Sequence, residues 1–140
     1  MIVCVGEILA DMIGEEKNGC MLYEQKAGGA PFNVACAAKK FGAKVAFVGS
    51  VGDDIIGRSL LSFAKARGFD SLRISKKTKK NTTLAFVSID ETGERSFCFF
   101  RENTADAYIE KLPENLLKNA DSHCQNYPKH HNQQKKVQQQ

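Results

Sequence analysis

Residues 27–35 read A-G-G-A-P-F-N-V-A, which sets two adjacent glycines, a proline and an amide side chain at a loop-to-helix junction. Without a Cβ, Gly28 and Gly29 let a ligand approach the backbone or let the chain hinge. Pro31 suits a first helical turn, and the Asn33 amide offers both a donor and an acceptor. An ordinary junction with a solvated Asn is the competing reading, and these nine residues do not separate the two. Further along, residues 52–59, G-D-D-I-I-G-R-S, nearly fit the phosphate-binding pattern G-x-x-x-x-G-K-[ST]. Arg58 replaces the lysine, however, and Asp53 and Asp54 would put two carboxylates where phosphate oxygens belong, so a capped turn is the better reading. The same holds for G-S-V-G-D at 49–53. A dinucleotide fingerprint is weaker still, since only Gly6 follows the first strand. His123, Cys124, His130 and His131 lack metal-ligand spacing and no metal site is expected.

The elements that would position these residues follow from periodicity. M-I-V-C-V is a continuous apolar, β-branched run, the pattern of a parallel strand covered on both faces. Asn18-Gly19 then predicts a hairpin turn between two short strands. From Pro31, Val34, Ala37, Ala38 and Phe41 recur at helical spacing, with Gly42 as the stop. K-V-A-F-V-G-S is a second buried strand. Asp53 or Asp54 can cap a helix whose Ile56, Leu60, Phe63 and Ala64 share a face, ending near Gly68. S-L-R-I-S is a further short strand, and residues 82–101 read as a hairpin about Gly93. Residues 109–121 read as a short helical segment interrupted at Pro113. This order predicts an α/β domain with right-handed crossovers, the two hairpins forming a small sheet beside the main one.

Composition narrows the function classes. The 140 residues carry a formal charge of +4, but Lys129, Lys135 and Lys136 lie in a terminal stretch without acids, so the body is near neutral and no nucleic-acid partner is expected. Five cysteines, an odd number with no C-x-x-C pair, point to a reduced, cytoplasmic protein in which Cys36 and Cys98 are core residues. No run is long and apolar enough for a membrane span, and the N-terminus lacks the marks of a secretory signal. Beyond Asp121 the sequence becomes polar, with six glutamines, and residues 122–140 are expected to form a low-complexity tail unable to order itself.

Residues 28–57, G-G-A-P-F-N-V-A-C-A-A-K-K-F-G-A-K-V-A-F-V-G-S-V-G-D-D-I-I-G, resemble the N-terminal signature of the PfkB carbohydrate kinases, the ribokinase and fructokinase family. V-G-E-I-L-A-D-M-I at 5–13 is similar to the start of the fructokinase branch, and F-C-F-F-R-E-N-T-A-D-A-Y-I at 97–109 resembles its lid strand ending in Arg, followed by Ala-Asp. Ala30-Pro31 favours the fructokinase side. The resemblance, covering residues 1–121, implies a ribokinase-like, Rossmann-type α/β/α sandwich in its N-terminal part, with a small β-sheet lid built from segments about 11–25 and 82–101. It implies that Asp11 accepts hydrogen bonds from two sugar hydroxyls, that Gly28 and Gly29 let the sugar lie against backbone and serve the lid as a hinge, that Asn33 binds another hydroxyl, and that Arg101 closes over the sugar. On residue type alone, Asp11 could equally be an exposed turn carboxylate and Arg101 a surface strand end.

The implied activity is ATP-dependent phosphorylation of a sugar, fructose or a similar ketose, with Mg2+. In the family the proton-accepting base and the phosphate-stabilising groups come from a G-A-G-D motif and the nucleotide pocket around it, and neither occurs in these 140 residues. No catalytic residue is therefore expected here, and this chain is expected to be inactive and poorly stable, as a sheet cut short leaves an open edge. The alternatives are a non-catalytic sugar-binding or subunit-interaction module, with a homodimer through the lid sheet, and a non-functional gene remnant.

Overall fold

The computed structural model describes residues 1–89, 92–112, 114–118 and 120–126. Two four-stranded sheets organise the described residues. The main sheet is wholly parallel in the order β5-β4-β1-β8, built from β1 (Ile2–Gly6), β4 (Val45–Gly52), β5 (Ser71–Lys77) and β8 (Ser122–Asn126). The second sheet, in the order β3-β2-β6-β7, contains β2 (Leu9–Lys17), β3 (Cys20–Gly28), β6 (Leu84–Ile89) and β7 (Arg95–Phe100). β2–β3 and β6–β7 are antiparallel hairpins, and β2 and β6 join them in parallel. The first hairpin turns at Asn18 and Gly19, both at positive φ (53° and 76°), as a tight two-residue turn requires.

The main sheet alternates with period two between its covered faces. Cys4, Val45, Phe47 and Val51 point toward helices α1 (Ala30–Lys40) and α2 (Ile55–Lys65). Val3, Val5, Ala46 and Val48 point the other way, against Leu116 of the short helix α3 (Glu114–Lys118) and against Ile109 and Leu112 before it. Helices on both faces of a parallel sheet make this the α/β/α layering that the sequence predicts, with the second sheet beside it. The predicted interruption at Pro113 lies outside the described residues.

Three expectations need correction. Helix α1 buries Phe32 and Ala35, whereas Val34 and Phe41 are 44% and 88% exposed. Two apolar stripes overlap on this helix, and the larger side chain decides: the Phe32 ring meets Phe47 edge-on at 5.1 Å and Phe69 at 6.0 Å. Cys98 is exposed on the second sheet, not in the core, while Cys36 packs against the core as expected. Finally, Ser122–Asn126 are not a structureless tail: they form β8, parallel to β1 over five register pairs from Ile2↔Ser122 to Gly6↔Asn126. The open edge of β1 supplies backbone partners that need no aliphatic side chain, and Cys124, opposite Cys4, joins the core. The remainder of that segment, 127–140, lies outside the described residues.

Candidate functional site

Strand β1 leaves the main sheet at Gly6, and after two connecting residues, Glu7 and Ile8, β2 begins in the second sheet. β3 returns antiparallel to end at Gly28, opposite Leu9, and α1 starts at Ala30. Gly28 and Gly29 thus form the junction between the second sheet and the first helix. Asp11, on β2 opposite Lys26, folds its carboxylate onto Gly28: a Cβ there would lie 2.1 Å from Asp11 Oδ2. Burial pushes the Asp11 carboxyl above its ordinary value, leaving an acceptor that is only partly hydrated. Gly29 has φ 107°, a conformation other residues avoid, and a Cβ on it would come 2.6 Å from the Glu7 carbonyl oxygen.

Glu7 occupies the centre of this corner. Its side chain is only 10% exposed; Oε1 accepts from the Ala30 N–H at 3.5 Å, and Oε2 accepts from the Arg101 guanidinium. Arg101, directly after β7, also lies over the Phe99 ring at 5.0 Å. Behind it Asp106 is 1% exposed, and its Oδ1 accepts from the hydroxyls of Thr83 (2.7 Å) and Thr104 (2.6 Å). Arg101 also borders a groove of about 570 Å3 lined by Asp54, Thr82, Leu84, Phe99 and Phe100, from which Asp11 is absent.

Asp11, Gly28, Gly29 and, through Glu7, Arg101 therefore form one continuous chain of contacts. Asn33 follows one helical turn after Gly29, its N–H donating to the Gly29 carbonyl at 2.9 Å, with an exposed side chain. Sequence reasoning missed Glu7. A single acid inside V-C-V-G-E-I-L-A, where every neighbour is apolar or glycine, was the available signal.

Gly52–Ser59 does not fit a phosphate. Asp54 caps α2 by accepting from Gly57 N–H at 2.7 Å, and it also accepts from the Thr82 N–H (2.7 Å) and hydroxyl (2.8 Å). Burial pushes this carboxyl up, but those hydrogen bonds outweigh it and hold Asp54 below its ordinary value. An ionised carboxylate fills the space. Among the described residues no group of three or more His, Cys, Asp or Glu side chains is arranged to hold a metal ion, and no helix is long and apolar enough to cross a membrane.

The profile of the pfkB family carbohydrate kinases matches residues 1–126. The chain belongs to the pfkB family of carbohydrate kinases. It is 39% identical over 127 residues to probable fructokinase-5 of Arabidopsis thaliana, covering 86% of this chain and 39% of that protein. Its fold is similar to that of the Xylella fastidiosa fructokinase solved with bound ATP (TM-score 0.68, 40% identity, covering 76% of this chain and 32% of that one). The Halothermothrix orenii fructokinase is similar as well (TM-score 0.73, 28% identity, covering 87% of this chain and 44% of that one). The chain thus spans about two-fifths of the length of the Arabidopsis relative. As a pfkB member, the chain has the fructokinase-like N-terminal portion that its motifs imply.

Proposed function

We propose that this chain supplies the sugar-binding side of an ATP-dependent kinase that phosphorylates a hydroxyl of fructose or a similar ketose. The observation that carries the proposal is the Asp11 carboxylate lying against bare backbone at Gly28, next to the Gly29 junction. Two carboxylate oxygens beside an uncovered peptide can accept from two neighbouring hydroxyls while the sugar ring lies on the backbone. Asn33 adds a donor and an acceptor from the first turn of α1. Arg101 closes from the lid, and Gly28 and Gly29 let the lid move against α1. Closure excludes water from the transferred phosphoryl group.

ATP and Mg2+ belong to the reaction, but the residues here do not form their site. G-A-G-D is absent from the sequence, and Gly52–Ser59 is closed by Asp54. Binding one substrate does not replace the base and the phosphate-stabilising groups, so a polypeptide of these 140 residues should bind sugar without consuming ATP. A coupled ATPase assay with fructose and Mg2+ tests the second half of that statement, and calorimetric titration with fructose and ribose tests the first. Turnover by pure material would refute the one; absence of heat with either sugar would refute the other. The protein works in the cytoplasm in this reading.

A homodimer through the lid sheet belongs to the same proposal. Leu22, Phe97 and Phe99 are each more than half exposed on one face of that sheet, an apolar surface of the kind that partners cover. Sedimentation should find a dimer that Leu22→Glu or Phe97→Glu converts to monomer. A wild-type chain that sediments as a monomer at high concentration would remove the dimer.

A further inference from the structure

Arg101 stands between two carboxylates that nothing in the sugar-binding reading uses. One is Glu7, already bonded to its terminal nitrogen Nη2. The other is Asp106, whose Oδ2 lies 3.8 Å from Arg101 Nε. Both of these last atoms are buried and lack a hydrogen-bond partner, an expensive state for a charged donor and a charged acceptor facing each other. The other oxygen of Asp106 is fixed by two threonine hydroxyls, from Thr83 at the entry to β6 and Thr104 after β7, so its carboxylate is held facing Arg101. A movement of the guanidinium of about 1 Å would bring the Nε–Oδ2 pair into charge-assisted hydrogen-bond range.

We propose that Glu7 and Asp106 are positioning residues for Arg101: Glu7 holds the guanidinium while the lid is open, and Asp106 accepts its Nε–H when the lid closes and a sugar hydroxyl takes up the terminal nitrogens. Glu7 also accepts from Ala30 N–H and packs against Gly29, so the same side chain ties the lid arginine to the hinge and to the start of α1. Asp106→Asn keeps an oxygen for the two threonines and turns an amide donor toward Arg101, which removes the Nε acceptor. Glu7→Gln keeps one acceptor oxygen and can satisfy Arg101 or Ala30 N–H, not both.

This inference rests on the sugar-binding reading for the role of Arg101, and its test separates the two. In the 140-residue chain, 15N NMR reads the Arg101 Nε–H directly without sugar. Its exchange with solvent should be at least about tenfold slower than that of exposed Arg58, and fructose should shift the resonance downfield as the Asp106 bond forms. Glu7→Gln and Asp106→Asn should each weaken fructose binding about tenfold in the wild-type background and by less than twofold in an Arg101→Ala background, because both act through that arginine. A helix-capping or packing role alone would persist in Arg101→Ala and would overturn the proposal. So would an Arg101 Nε–H that exchanges as fast as Arg58. If the wild-type chain binds no fructose, the sugar reading fails, and faster Arg101 Nε–H exchange in Glu7→Gln and Asp106→Asn than in wild type still decides whether the carboxylates hold Arg101. Should either carboxylate variant fail to fold, the wild-type exchange and fructose shift carry the decision.

Discussion

Replacing Gly28 and Gly29 one at a time by alanine separates the fold from the site, because the two adjacent positions meet different neighbours. At Gly29 the backbone stands at φ 107° and ψ 129°, and the new Cβ would lie 2.6 Å from the Glu7 carbonyl oxygen. Main chain cannot swing aside. The conformational strain costs about 1–3 kcal/mol and the overlap about 1–3 kcal/mol more. Gly29→Ala should therefore lose about 2–6 kcal/mol, a fall in Tm on the order of 10 °C or more in urea-free thermal melts. At Gly28 the three nearest atoms are all in the Asp11 carboxyl group, with Oδ2 at 2.1 Å and Cγ at 2.8 Å. A side chain can rotate away, at about 0.5–1.5 kcal/mol, so Gly28→Ala should fold. The displaced carboxylate would then miss the sugar hydroxyls; with charged hydrogen bonds worth about 1.5–3 kcal/mol each, fructose Kd should rise at least about tenfold. Thermal denaturation and calorimetric titration of both variants check this. A Gly29→Ala chain as stable as wild type, or a folded Gly28→Ala chain with unchanged fructose affinity, would refute the reasoning.

Asp11→Asn should raise stability at neutral pH while weakening fructose binding. Burial raises the folded pKa of Asp11 above 3.8, so the ionised group costs stability in full above that raised pKa, and the difference between wild type and variant should shrink as pH falls through it and vanish below 3.8. Wild-type fructose affinity should decline over the same acidic window. Asp54→Ala removes the α2 cap and the bonds from Thr82, a loss of about 2–3 kcal/mol in urea unfolding. Because the folded pKa of Asp54 lies below 3.8, its contribution is complete above that value and lost as pH falls through the folded pKa, so the wild-type and Asp54→Ala curves should converge in acid.

Local signals carried most of the architecture. The Asn18-Gly19 turn, the Asp54 cap and the continuous apolar runs of β1 and β4 each depend on neighbours a few residues away, and all stand where periodicity puts them. Tertiary choices were less legible. Which of two stripes α1 buries depends on the pocket that Phe47 and Phe69 make for Phe32, and β8 depends on the edge of β1, 120 residues earlier in the case of Ile2 and Ser122. Within the candidate site, residue type singles out Gly28 and Gly29 and resemblance adds Asp11, and the structure packs Asp11 against Gly28 beside Gly29. The Glu7–Arg101 pair joins residues 94 positions apart, so no local pattern could reveal it.

The most direct measurement is an amide 15N–1H spectrum of this chain titrated with fructose. If the corner between the lid and α1 is the sugar pocket, saturable shifts will centre on Asp11, Gly28, Gly29, Asn33 and Arg101. Shifts confined to another face, or a spectrum that fructose leaves unchanged, would contradict the account.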